Sequence, residues 1–81
     1  MIEIRFEREQ NRSAAYDGNR LIGFCEVQMT DCTWTIPHTE VDLAYSGQGI
    51  ARKLVLCVAE LAEKENIKIV PICPYAKSIL R

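Results

Sequence analysis

His38 and Glu40 are the residues best suited to moving a proton. They stand two apart in Thr33-Trp34-Thr35-Ile36-Pro37-His38-Thr39-Glu40-Val41, a stretch rich in β-branched residues that predicts a strand. Side chains two apart on a strand share a face, here roughly 6.6 Å apart along it. His38 is the single histidine, and an imidazole is the side chain best matched to acid–base work near neutral pH. Glu40 is the rival base, and each residue alone fits equally well as a polar group on a partly wetted face. A nucleophile is offered by Cys73-Pro74-Tyr75. Pro74 suits the first turn of a helix, so Cys73 would sit at its N-terminus, where a thiol becomes more acidic and more reactive. Its plain alternative is a small residue closing the core.

A different chemistry is offered by Val41-Asp42-Leu43-Ala44-Tyr45-Ser46-Gly47-Gln48-Gly49-Ile50-Ala51-Arg52-Lys53. A β-branched run ends there and a helical pattern begins. Gly47 and Gly49 lack a Cβ, so the backbone can approach a ligand closely. The free N–H groups of the first helical turn favour an anion at the same place. Arg52 and Lys53 fall in that first turn, against the helix dipole, while Glu60, Glu63 and Glu65 lie against it at the other end. A phosphate at the loop would relieve the conflict at the N-terminus. A tight turn followed by a solvated basic face is the plainer alternative.

Five strands and two helices would have to hold these groups. Residues 2–7 alternate as a half-buried strand, 12–17 form a weaker one, and 20–29 a long one. Asp17-Gly18-Asn19 predicts a tight hairpin between the last two, because Gly and Asn tolerate positive φ. Glu9-Gln10-Asn11 and Thr30-Asp31-Cys32 read as turns, and Gly23 as a bulge or a close backbone approach. Residues 33–41 form the fourth strand, with Pro37 leaving one side unpaired or bulged. From about residue 49 to 65 a helix buries Ile50, Leu54, Val58 and Leu61, widened by Ala51, Val55 and Ala62, with Cys57 facing the core and Asn66 as a left-handed end. Residues 67–72 follow as a strand parallel to the fourth, with a second unpaired edge implied at Pro71. Residues 75–81 form a short helix. The fold class is α+β: a four-stranded antiparallel meander, a helix, a fifth strand parallel to the fourth, and a short C-terminal helix. Trp34, Phe24 and Tyr16 are read as core or cross-strand packing.

The chain of 81 residues is read as a single domain, 1–81, burying about 60–65% of its unfolded surface around one small core. A net charge of −1 gives no reason to expect nucleic acid or an anionic membrane as partner. No apolar run approaches the roughly 20 residues that span a bilayer, and the charged N-terminus is unlike a signal peptide. A cytoplasmic location is expected. Cys25, Cys32, Cys57 and Cys73 contain no Cys-x-x-Cys pair, so neither a metal site nor disulfides are expected, and the thiols are read as reduced. An exposed sheet edge allows a monomer or a weak dimer.

The loop stretch resembles the GNAT superfamily of CoA-dependent acyltransferases. That superfamily carries Arg/Gln-x-x-Gly-x-Gly/Ala between its fourth strand and the next helix, usually after a Val-x-Pro-x-Tyr-like segment. Here Val41-Asp42-Leu43-Ala44-Tyr45 precedes Ser46-Gly47-Gln48-Gly49-Ile50-Ala51, with Ser46 in place of the usual Arg or Gln and Leu43 in place of Pro. His38-Thr39-Glu40-Val41 and Pro71-Ile72-Cys73-Pro74-Tyr75 are similar to the minimal, YjdJ-type branch, which keeps little more than the CoA-binding half of the fold. The resemblance covers about residues 20–78. The chain has no room for the two helices that help build the acceptor site in fuller members.

The resemblance implies acetyl-CoA as co-substrate and an unidentified amine, small molecule or lysine side chain, as acceptor. A CoA-binding module without turnover is the alternative. Ser46, Gly47, Gln48, Gly49, Ile50 and Ala51 would cradle the pyrophosphate, with Arg52 or Lys53 at the rim. The backbone of Val41 and Leu43 would hold the pantetheine arm, and the Val41 N–H would serve the oxyanion. Glu40 or His38 would be the base, and Tyr75 would protonate the departing thiolate. Cys73 would line the acetyl site or take the acetyl group itself.

Overall fold

The computed structural model describes residues 1–30 and 32–80, and its element order is the one the residue pattern predicts. Strands β1 (Ile2–Glu7), β2 (Arg12–Asp17), β3 (Arg20–Met29), β4 (Thr33–Val41) and β5 (Lys68–Pro71) form one sheet in that order. The first three junctions are antiparallel and β4–β5 is parallel. Helix α1 (Ile50–Lys64) makes the crossover to β5, and α2 (Pro74–Leu80) closes the chain. Asp31, in the expected turn between β3 and β4, and Arg81, at the end of the last helix, lie outside the described residues.

The turns follow from residues that tolerate positive φ. Gly18 carries it in the β2–β3 hairpin, at φ 64°, while Asn19 does not. Asn11 ends a 3-10 turn over Arg8–Gln10. Asn66, at φ 58°, ends α1: its N–H donates to the Glu63 carbonyl, and the Ile67 N–H donates to the Ala62 carbonyl. Those two bonds satisfy carbonyls the helix end leaves open.

Both helices pack on one face of the sheet. Ile36, Cys25, Val27, Trp34, Leu54, Val55 and Val58 are the buried centre, and the Ser13 hydroxyl donates to the Leu54 carbonyl at 2.8 Å. The buried row of α1 steps by four from Ile50 through Leu54 and Val58 to Ala62, and Leu61, half-buried at its flank, packs against the same core. One expectation needs correction: Cys57 precedes that row by one residue and is half-buried at its edge, instead of facing the core. Among the described residues no helix covers the opposite face of the sheet. Its polar side chains pair among themselves, as in Arg12 to Glu7 at 2.8 Å.

Three irregularities shape the sheet. Between Ala15 and Tyr16 the β2–β3 register shifts, and a Cβ on the adjoining Gly23 would come within 3.0 Å of the Glu40 carbonyl. Gly23 thus marks both a bulge and a close approach. Between β3 and β4 the register shifts again, so that Ile36 and Pro37 together oppose Val27. At the same level β4 and β5 part. Their pairing ends at Ile36 and Pro71, and the Ile36 carbonyl accepts from both Ile72 and Cys73, at 3.0 and 2.9 Å. Neither proline can donate a ladder bond. Beyond them β4 keeps β3 and loses β5.

The bulge has a further effect. Alternation would place His38 and Glu40 on the face of Trp34 and Ile36. One extra residue reverses that parity. Thr39 therefore lies opposite Cys25 on the helix-covered face, with Val41, while His38 and Glu40 turn to the uncovered one.

Candidate active site

A cavity of about 340 Å³ opens where β4 and β5 separate. Thr39 and Val41 line its floor, Tyr75 of α2 one wall, and Tyr45, Ser46, Gly47, Gly49, Ile50 and Ala51 the other. The parity of β4 leaves donors free here. The Asp42 N–H donates to the Ile22 carbonyl of β3 at 2.7 Å, so the preceding residue, Val41, directs its N–H to the side where β5 is missing. Leu43 is placed differently. It begins a 3-10 turn over Leu43–Tyr45, its carbonyl accepts from Ser46, and its side chain is 87% exposed.

The glycine loop is shaped from both ends. Asp42 caps the 3-10 turn by accepting from the Ala44 N–H at 2.9 Å. Gly47 and Gly49 adopt φ 79° and 75°, the left-handed region that costs other residues roughly 1–2 kcal/mol. A Cβ at either would meet nothing within 4 Å, so backbone conformation and not crowding within the chain demands glycine there. No side chain among the described residues caps α1 at Gly49, and its first turn holds no acidic residue. Uncapped N–H groups thus lie at one end of the cavity, with Arg52 and Lys53 exposed beside them. Gln48, Arg52 and Lys53 lie outside the lining itself.

A tie that was not visible in the residue pattern fixes this loop to the hairpin. The Tyr45 hydroxyl donates to Asp17 Oδ2 at 2.5 Å. That bond holds the Asp17 carboxyl below its ordinary value, helped by the terminal amine of Met1, and pushes the Tyr45 phenol up. Arg20 reaches Asp42 at 3.3 Å in the same region.

Cys73 lies where β5 runs into α2, 8% exposed and outside the cavity lining, with its carbonyl accepting from Lys77 in the first turn of α2. Burial alone would raise its thiol. Hydrogen bonds from the Ala76 and Tyr75 N–H groups, the Thr39 hydroxyl and the Thr39 N–H outweigh it and hold the thiol below its ordinary value. Cys25, behind Thr39, is pushed up by burial, and so is Cys57. All four cysteines are free thiols.

His38 and Glu40 do share a face, as their spacing requires, with His38 Nε2 and Glu40 Oε1 3.2 Å apart. Both are exposed beside the Phe24 ring, and neither lines the 340 Å³ cavity. Glu40 instead borders a groove of about 170 Å³ with Leu21, Phe24 and Asp42. The structure thus gathers the loop, Val41 and Tyr75 at one cavity, leaves Cys73 outside its lining, and sets His38 and Glu40 on the reverse side of the same strand. Thr39, Tyr45 and Asp17 join the site from elements whose residue types carried no signal for it. Among the described residues no group of three or more His, Cys, Asp or Glu side chains could hold a metal ion, and no helix is long and apolar enough to cross a membrane.

The fold that carries this cavity is shared with solved acetyltransferase structures. An aminoglycoside acetyltransferase from an uncultured soil metagenomic sample superposes with a TM-score of 0.70 at 16% identity, over 86% of this chain and 56% of its own. The ribosomal-protein-alanine N-acetyltransferase of Brucella melitensis biovar Abortus 2308 superposes at 0.64 and 22%, over 84% and 58%. At those identities the likeness is one of fold, and the chain spans little more than half the length of either protein. A GCN5-like protein from Staphylococcus aureus, solved by NMR, is nearer in sequence: 31% identity, a TM-score of 0.72, and 96% of this chain matched to 76% of that one. No curated protein matches in sequence. Residues 5–81 match the model of the GCN5-related N-acetyl-transferase family, and the chain belongs to that family.

Proposed function

We propose that the protein is an acetyl-CoA-dependent N-acetyltransferase acting on the amine of a small molecule or a lysine side chain. The cavity between β4 and β5 carries this reading. It has the uncapped N–H groups of α1 and the glycine loop at one side, Tyr75 at the other, and the free edge of β4 between them. The pyrophosphate lies over the N–H groups of residues 48–51, with Ser46 and Gly47 shaping the loop and Arg52 and Lys53 at the rim. The pantetheine arm adds to the edge of β4 at Val41, with Leu43 beyond it at the mouth.

The amine nitrogen attacks the thioester carbonyl, and the Val41 N–H stabilises the oxyanion that forms. Collapse breaks the carbon–sulfur bond, and the Tyr75 phenol protonates the leaving thiolate. The base that takes the amine proton is Glu40 or His38, which approaches from the uncovered face through the open end of the sheet. Glu40→Gln and His38→Ala separate the two: the variant that removes the acidic limb of the pH–rate profile identifies the base. Cys73, outside the cavity lining itself, borders the acetyl site. If it instead carries the acetyl group, mass spectrometry after acetyl-CoA treatment finds Cys73 acetylated.

One observation favours a second reading, a CoA-binding module without turnover: both candidate bases point away from the cavity. Calorimetric titration with CoA and acetyl-CoA tests the shared premise, and no binding removes both readings. Release of free CoA over a panel of small amines, aminoglycosides and peptides separates them. Tight binding with no release across the panel favours the module.

A further inference from the structure

Asp17 has no task in the mechanism above, yet it holds a residue of the cavity wall. Tyr45 lines the cavity beside Ser46, Gly47 and Gly49, and its hydroxyl donates to Asp17 Oδ2 at 2.5 Å across 28 positions of sequence. Asp17 is the last residue of β2. Ser13 and Ala15 of the same strand are buried on the face that the helices cover, and a period of two puts Asp17 on that face as well. The register shift between Ala15 and Tyr16 leaves its extra residue, Ile22, on β3, so the alternation of β2 runs unbroken to Asp17. Arg20, the partner of Asp17 across the hairpin, reaches Asp42 at 3.3 Å.

The glycine loop needs a hold of this kind. Gly47 and Gly49 both take the left-handed conformation, and glycine has more backbone freedom to lose than any other residue. Downstream the loop is anchored by α1, where the Lys53 N–H donates to the Gly49 carbonyl at 3.2 Å. Upstream it is anchored by the 3-10 turn over Leu43–Tyr45, which the Asp42 cap and the Ser46 N–H bond to the Leu43 carbonyl close. A single 3-10 turn has poor hydrogen-bond geometry and is a weak anchor by itself. Two side-chain contacts tie it to the hairpin, and they are unequal. The Arg20 side chain is 69% exposed, so its pair with Asp42 is screened by water. Tyr45 is half-buried, and its bond runs from a hydroxyl to a carboxylate, the shorter and stronger kind.

We propose that Asp17 is a positioning residue for acyl-CoA binding: its carboxylate, through the Tyr45 hydroxyl, holds the upstream end of the glycine loop in the shape that receives the ligand. The proposal rests on reading the cavity as the acyl-CoA site. Asp17 does not line that cavity, so its effect passes through Tyr45, which does. A loop already held in the free protein loses less freedom when the ligand arrives, and the tie therefore contributes affinity without touching the ligand.

The test joins hydrogen exchange of the full chain without ligand to calorimetric titration with CoA. Asp17→Ala should speed amide exchange in residues 46–50 and weaken CoA binding about fivefold, while exchange in β4 and the middle of α1 stays as it was. Tyr45→Phe should do the same, which keeps the test open should Asp17→Ala not fold. The double variant should be no worse than either single one, because both remove the same bond. Asp17→Asn keeps an oxygen acceptor for the phenol and should recover most of the affinity. A tie that served only the stability of the hairpin would lower the melting temperature and leave loop exchange and CoA affinity alone. Unchanged loop exchange or unchanged affinity in both single variants, additive losses in the double variant, or an Asp17→Asn chain as weak as Asp17→Ala would overturn the proposal. An intact chain that does not bind CoA removes the acyl-CoA reading instead, and the exchange measurement still decides whether Asp17 holds the loop.

Discussion

The two halves of β4 differ more from each other than β4 differs from its neighbours. Thr33 to Ile36 is paired on both sides, with Trp34 and Ile36 buried and Trp34 stacked on Phe6 at 5.8 Å between ring centres. Pro37 to Val41 is paired on one side, and the space on the other becomes the cavity. The first half contributes to stability through apolar burial. The second gives up ladder bonds and exposes backbone donors. A small domain can carry this division because the two halves meet at prolines. Pro37 and Pro71 have no N–H to lose, so separation of the strands leaves no donor stranded at the junction.

The comparison can be broken from the stable side first. Ile36→Ala should cost about 2–5 kcal/mol by leaving a void under α1. Urea denaturation would show it as a lower midpoint, and a loss below ~1 kcal/mol would deny the paired half its stabilising role. Gly49→Val acts on the other half. It should abolish CoA binding in calorimetry, with about 1–2 kcal/mol of strain from the left-handed backbone alone. Binding at wild-type affinity would remove the loop from the site. Val41→Pro sharpens the contrast because the N–H it deletes faces the gap, although its ring also fixes φ and replaces the valine side chain. The expectation is about a 100-fold lower kcat, the scale for one oxyanion donor, with the sheet intact by circular dichroism. Collapse of the fold would show that this N–H is structural. Tyr45→Phe should have the smallest effect, a few-fold weaker CoA affinity with little change in melting temperature, since it removes the bond to Asp17 and keeps the ring. An unchanged affinity would make that bond incidental to the loop.

Much of this was legible in the residues. Alternation, β-branching and turn residues placed five strands and two helices in order, and the two glycines before an apolar helical stripe marked the loop that opens on the cavity. Pro37 announced an unpaired or bulged strand, and both occur there. Other features were not legible for identifiable reasons. Cys57 was assigned to the core face, but the buried row runs through Leu54, Val58 and Ala62 because the sheet meets α1 along that line. Leu43 fits an extended segment by type, and the Asp42 cap turns it into a 3-10 turn. Thr39, Tyr45 and Asp17 are ordinary residues whose partners lie 14 to 28 positions away.

His38 and Glu40 show where the division falls. That they share a face follows from a period of two and needs only the chain. Which face it is depends on the extra residue opposite Val27, and a bulge is a property of two strands and not of one. The same holds for Cys73. Its place before Pro74 made it the start of a helix by local rules, whereas the bond from its N–H to the Ile36 carbonyl exists because β5 stops pairing with β4 at Pro71. Local backbone preferences act within a few residues and can be read along the chain. Which strands pair, where they part and which face α1 covers are settled by burial among distant segments, and only the folded structure decides them.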